Sequence, residues 1–221
     1  MNARTNTTIE EQKQRVMTAL DAVRQEVKAY RQLAKSPPTF LKDGIPERLR
    51  ADALTGAALY PDRFAMIKAL VSGGVGAEVG VQQAIFSRFL LDEIGPETLY
   101  LLDMTAKDFR PDVMDDPRTK ALIGDSSSNL ATLPDQSLDW IYVDGDHRMT
   151  GVQKDTDVAR QKIKPGGVLI FNDYTPWSVA EVMPYGVMPV VNALVNEGYP
   201  VLGLAIAPHG YYDIAVRYAP L

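Results

Sequence analysis

Carboxylates end or closely follow five successive apolar runs of this chain. Glu78-Val79-Gly80 closes the first and Asp103 the second. Gly124-Asp125-Ser126 closes the third, Asp144-Gly145-Asp146-His147 the fourth, and Asn172-Asp173 the fifth. Any one of them could be plain turn or cap chemistry, which aspartate and asparagine favour. Five in succession point to a shared site, because open α/β sheets bind ligands beyond the carboxyl ends of their strands. Acids gathered there can accept hydrogen bonds from sugar hydroxyls, hold a hard cation or take up a proton.

The runs must therefore be strands. Residues 77–80, 98–103, 120–125, 138–144 and 168–172 read as strands, and VLIF has the continuous apolar character of a strand buried on both faces. Helical patterns fall between them, over 84–93 and 151–162, and a further one follows over 188–197. Lys164-Pro165-Gly166-Gly167 reads as a tight turn. Residues 200–207 and 213–218 look like two last strands, joined at a Pro-His-Gly turn into an antiparallel hairpin, with His209 an exposed turn residue. Strands alternating with helices imply right-handed crossovers. The expected fold is α/β, Rossmann-like and doubly wound, with a mostly parallel seven-stranded sheet, a C-terminal antiparallel hairpin and an N-terminal helical extension. The boundary is expected at 72/73, where the periodicity changes.

The extension opens with a helix over 8–33. Thr8 and Glu11 have capping-box spacing, and Val16, Leu20, Val23, Val27 and Tyr30 recur at threes and fours. That stripe must bury against the chain's own domain or a second copy, so a homo-oligomer is possible. Pro37-Pro38 ends the helix, and shorter helices are expected over 46–53 and 63–71.

Composition narrows the chemistry. The 221 residues carry 23 basic and 28 acidic side chains, a net charge of −5, with no cysteine and two histidines. A disulfide framework, a thiolate zinc site and a cysteine nucleophile are excluded. The acidic balance argues against nucleic acid as a partner. No stretch is apolar enough to span a bilayer, and the N-terminus lacks a signal-peptide core, so a cytoplasmic protein is the expectation. Asp103 lies about twenty residues beyond the first glycine turn, the spacing of a ribose-binding acid. That turn, GAEVGVQQA, lacks G-x-G-x-x-G, and Glu78 would meet a pyrophosphate with like charge. A cationic, amino-bearing ligand fits better, which separates S-adenosylmethionine from NAD.

These motifs, and above all IYVDGDHRMTGVQKDTDVARQKIKPGGVLIFNDY over 141–174, resemble class I S-adenosylmethionine-dependent methyltransferases. The similarity is greatest to small-molecule O-methyltransferases of the macrocin and novobiocin-sugar type and to cephalosporin-hydroxylase-like proteins. It covers roughly 76–174. The resemblance implies that Glu78 and Gly80 face the methionine part of the cofactor, that Asp103 binds the ribose, and that Asp125 and Ser126 border the adenine. It implies that Asp144, Asn172 and Asp173 hold a divalent metal, with Asp144 also beside the cofactor, and that Asp146, next to His147, is a catalytic base. Ala84 stands where the family has a second glycine. An amide in the metal set lowers its charge.

Chemistry supports the same roles. Methyl transfer to oxygen needs alignment and removal of a proton. Mg²⁺, which prefers oxygen ligands, would lower the pKa of a bound hydroxyl. Without it His147 is the better base. The expected activity is O-methylation of a sugar, phenol or natural-product hydroxyl. The alternatives are a metal-dependent hydrolase using the same acids and a metal-independent methyltransferase with His147 as base. Asp146 could instead cap a helix, and His147 could be a structural hydrogen-bonder. Trp177, Met183, Tyr185 and Met188 could line an acceptor pocket, form a lid, or simply pack.

Overall fold

The computed structural model describes residues 8–207 and 210–219. His209 lies outside the described residues. In chain order the elements are α1 (Ile9–Ala34), β1 (Ala58–Tyr60), α2 (Arg63–Leu70), β2 (Val75–Val79), α3 (Ile85–Phe89), β3 (Thr98–Asp103), α4 (Pro111–Met114), β4 (Thr119–Ile123) and α5 (Ser126–Ala131). There follow β5 (Leu138–Val143), α6 (Met149–Lys162), β6 (Ile163–Phe171), β7 (Trp177–Ser178), β8 (Met183–Pro184), α7 (Val187–Asn196), β9 (Val201–Ile206) and β10 (Tyr212–Arg217).

Contacts divide the chain into two compact units, one up to Leu41 and one from Lys42. In the first, Thr8 and Glu11 form the expected capping box of α1, and Tyr30 meets Phe40 edge-on with ring centroids 4.9 Å apart. No residue of α1 is buried.

The second unit starts well before the expected boundary at Gly73, and the reason is β1 and α2. Strand β1 pairs parallel with β9, and α2 buries Met66 and Ile67 completely. The sheet therefore has eight strands, in the order β1-β9-β10-β6-β5-β2-β3-β4. The seven expected strands are all present. Only β10 runs antiparallel to its neighbours, β9 and β6. A separate small hairpin pairs β7 with β8.

Both faces of the sheet are covered. On β5, Ile141 and Val143 join the cluster on the side of α5, α6 and α7. Trp140 and Tyr142 join the cluster with Met66, Leu90 and Val113 on the other side. Alternate side chains thus enter two cores, which is why the strand reads as an unbroken apolar run.

Local departures have local causes. Residues 46–53 do not form a helix; only a 3₁₀ turn at Asp52–Leu54 appears there. The 84–93 helix is α-helical to Phe89 and π-helical over Leu90–Ile94, before Gly95 ends it in a left-handed conformation. Lys164–Gly167 lies inside β6 as an irregularity, since the pairing steps from Leu138↔Ile163 to Trp140↔Val168. No described helix is long and apolar enough to cross a membrane.

Candidate active site

Strands β2, β5 and β6 end side by side, and the polypeptide turns sharply after each. Gly80 has φ 85°. A Cβ added there would lie 1.9 Å from the Asp144 carbonyl oxygen, so only glycine lets the loop pass β5 this closely. Gln82 and Ala84 in the same loop also have positive φ, 56° and 59°. Ala84, standing in the place of a family glycine, thus occupies the backbone region that glycine favours. Asp103 stabilises this strained turn. Its Oδ2 accepts from the N–H groups of Val81 and Gln82, each at 2.9 Å, and its Oδ1 from that of Thr105 at 3.1 Å.

Below the turn, Glu78 is buried and accepts a hydrogen bond from Ser87 Oγ at 2.6 Å. Burial pushes its pKa up to about 8, against the opposing pull of Ser87 and Arg63. Asp144 keeps 29% of its side-chain surface open to the cleft. The dense surroundings nevertheless raise its pKa well above the ordinary range, and the like charges of Asp173, Asp213 and Glu78 add to the effect while Arg63 opposes it.

His147 lies where these acids converge. Its Nε2 is 3.5 Å from Asp144 Oδ1 and 3.8 Å from Asp173 Oδ2. That atom is buried and hydrogen-bonds to no described residue. Tyr185 stacks on the imidazole at 4.5 Å, with the rings inclined by 14°. The backbone carbonyl of His147 accepts from Gly186 N–H at 2.8 Å, which fixes the segment further.

Two adjoining cavities, each of about 440 Å³, flank this group. The first is lined by Glu78, Gly80, Phe86, Asp144 and His147, among others. The second is lined by Asn172, Asp173, Ala205, Tyr211 and Asp213, among others. Arg63 and Phe64 line both.

Residues 75–174 match the family model described as a methyltransferase domain. Over this segment the chain is similar to methyltransferase domains. The chain resembles a provisionally named hemolysin from Lactococcus lactis, with a TM-score of 0.52 and 14% identity, covering 69% of this chain and 83% of that one. It also resembles a provisionally named type 11 methyltransferase from Sulfolobus solfataricus, with a TM-score of 0.51 and 16% identity over 67% of this chain and 85% of that one. A provisionally named O-methyltransferase from Klebsiella pneumoniae gives 0.50 and 17%, over 66% and 73%. At such low identity these likenesses show the fold alone. No curated protein matches the chain.

The residues singled out in the sequence separate into groups. Glu78, Gly80, Asp144 and His147 come together at the first cavity. Asp125 and Ser126 face a different pocket, of about 230 Å³, and Asp146 lines it with them. There Asp125 caps α5, accepting from Ser128 N–H at 2.8 Å, and pairs with Lys154 at 2.9 Å. Ser126 donates to Asp155 at 2.7 Å. Asp146 is held by Arg148, whose Nε and Nη2 donate to it at 2.9 Å. Although burial disfavours its charge, the pairing with Arg148 holds its pKa below the ordinary value. Asp146 is thus not brought to the Asp144–His147 group, where a base would be needed.

The residues expected to hold a metal have other neighbours as well. Asn172 donates through its amide nitrogen to Tyr142 Oη and Asp213 Oδ1, each at 3.2 Å, and neither bond involves its Oδ1. The guanidinium of Arg63 lies 3.9 Å from Asp144 Oδ2, and His147 lies between Asp144 and Asp173. Among the described residues no three histidine, cysteine, aspartate or glutamate side chains form a group that could hold a metal ion. In this arrangement the charged neighbours of Asp144 are Arg63 and His147. The cofactor fits better: the close passage at Gly80 and the buried Glu78 leave an acidic cradle suited to a cationic, amino-bearing ligand.

Two charged residues lining the cavities went unread in the sequence. Arg63 donates to Tyr142 Oη at 3.0 Å, and Tyr142 donates to buried Asp213 at 2.8 Å. Burial pushes the Asp213 pKa up to about 6, against its hydrogen bond from Tyr142 and the charge of Arg63. Of the aromatic and methionine residues after the fifth run, Tyr185 packs on His147 and Trp177 and Met183 form the small hairpin. Ala180, Glu181 and Tyr211 reach the cavities instead. Tyr211 Oη accepts from the N–H of Val179 at 2.7 Å and of Ala180 at 3.1 Å, which ties this segment down.

Proposed function

We propose that the chain methylates a hydroxyl oxygen of a small molecule and that His147, flanked by Asp144 and Asp173, accepts the hydroxyl proton. One observation carries the reading. The two carboxylates facing Nε2 line different cavities, Asp144 the first and Asp173 the second. The imidazole therefore marks the junction between a cofactor side and an acceptor side.

S-adenosylmethionine, when bound, supplies an electrophilic methyl group on a sulfonium sulfur that leaves as a thioether. Glu78 faces the amino-acid end of the cofactor and Gly80 keeps the path beside it open. Asp103 has committed three of its roughly four acceptor positions to backbone N–H groups, which leaves one beside the loop for a ribose hydroxyl. Asp125 and Ser126 edge the polar pocket suited to the adenine. Phe64, Ala205 and Tyr211 give the acceptor cavity its apolar walls, which position a hydroxyl in line with the methyl carbon. His147 takes the proton as the oxygen–carbon bond forms, and that proton then sits between two carboxylates.

The test is a methyl-transfer screen against hydroxylated metabolites, run with and without EDTA. Methylated ether products formed equally in both series support the reading. Turnover abolished by EDTA and restored by Mg²⁺ would return the proton transfer to a metal-bound hydroxyl. Products methylated only at nitrogen or carbon would overturn the oxygen assignment.

A further inference from the structure

Arg63 has no part in the transfer just described, yet it occupies the wall shared by both cavities. It is the first residue of α2, following the Asp62 cap. A cation at that end opposes the helix dipole, and the charges of Asp144, 3.9 Å away, and Asp213 offset that cost. The side chain is also firmly held. Its Nη1 donates to Tyr142 Oη, and Tyr142 is fixed in turn by Asp213 and Asn172. Its guanidinium lies 4.7 Å from the centroid of Phe86 and 5.6 Å from that of Phe64.

Only Nη1 of this guanidinium hydrogen-bonds among the described residues. Its Nε and Nη2 make no such bond, which leaves donors of the planar fork that pairs with carboxylates. The first cavity also has a lopsided charge. Glu78, Asp144 and Glu181 line it, and Arg63 is the only arginine or lysine among its lining residues. An α-amino acid end carries one ammonium and one carboxylate, and this cavity offers a buried acid and one anchored guanidinium.

We propose that Arg63 binds the carboxylate of the cofactor's amino-acid end while Glu78 receives its ammonium. The inference rests on the S-adenosylmethionine reading. It makes Arg63 a binding residue that separates the intact cofactor from nucleosides lacking the amino-acid end.

The test compares two ligands by isothermal titration calorimetry: S-adenosylmethionine and 5′-methylthioadenosine, which keeps the nucleoside and thioether but has no amino-acid end. Arg63→Met should weaken S-adenosylmethionine at least tenfold and leave 5′-methylthioadenosine within about twofold; Arg63→Lys should fall between. Equal weakening of both ligands, or of neither, overturns the assignment. Wild-type protein that binds 5′-methylthioadenosine but not S-adenosylmethionine also overturns it. Wild-type protein that binds neither overturns the cofactor reading itself. Should Arg63→Met fail to fold, decarboxylated S-adenosylmethionine replaces it on the wild type. That ligand keeps the ammonium and the sulfonium, so binding at least tenfold weaker than the intact cofactor supports the proposal, and equal binding overturns it.

Discussion

His147 Nε2 faces Asp144 Oδ1 at 3.5 Å, buried and without a hydrogen bond to any described residue. A nitrogen left in that state beside a carboxylate is suited to proton traffic more than to scaffolding. His147→Asn should lower kcat by about 10²–10⁴-fold, the usual range for loss of a general base, with S-adenosylmethionine affinity changed little. Parallel measurements of kcat and cofactor Kd check this. A kcat within a few-fold of wild type would remove His147 from the chemistry.

Glu78 gives the apo protein a characteristic pH dependence. Its carboxyl loses a proton near the ordinary 4.5 in the unfolded chain but only near 8 in the folded one. Its contribution to stability is therefore full below about 4.5 and is lost as the pH rises to about 8. Thermal melts from pH 5 to 8 should show the wild type declining relative to Glu78→Gln, whose amide does not titrate. A cofactor ammonium beside Glu78 would favour the charged form, so binding at pH 7 should release a proton. Calorimetry in buffers of different ionisation enthalpy detects that release.

Gly80 allows no side chain. The Asp144 carbonyl oxygen would sit 1.9 Å from a new Cβ, and φ is 85°. Gly80→Ala should cost at least about 2 kcal/mol, since backbone on both sides must yield. Denaturant unfolding measures the loss, and wild-type stability would mean that the loop runs elsewhere.

Asp146 supplies the complementary control. Its carboxylate is paired with Arg148 and faces the pocket of Asp125. Asp146→Asn should leave kcat within a few-fold of wild type, and any effect should appear in cofactor affinity. A loss of kcat comparable to that of His147→Asn would restore Asp146 as the base.

What the sequence disclosed follows from locality. Strands buried on both faces stand out as apolar runs, and the acids ending them are part of the same short segments. This made Glu78, Asp103 and Asp144 legible together with the parallel sheet. Arg63 and Asp213 were not, because each meets Tyr142 across a long stretch of chain, 79 and 71 residues. The same distance hides the neighbours of Asn172. Asn172 gives no sign in the sequence that Asp213, brought in by the antiparallel β10, accepts from its amide nitrogen. The D-G-D-H spacing suggested that Asp146 would serve as a base close to Asp144, whereas its carboxylate pairs with Arg148 and lines another pocket. Strand β1 has three residues, too few to reveal a period.

That short strand also decides where the chain can be cut. Ala58, Leu59 and Tyr60 lie against Gly203, Leu204 and Ala205 and supply the outermost backbone partners of β9. A fragment beginning at Gly73, where the apolar pattern alone would start the domain, would retain Glu78, Asp144, Asp173 and Asp213 of the cleft. It would also leave β9 as a bare edge, open to pairing with any other extended chain. Such a fragment should aggregate, and solubility is the property through which the loss of three residues of pairing would first be noticed.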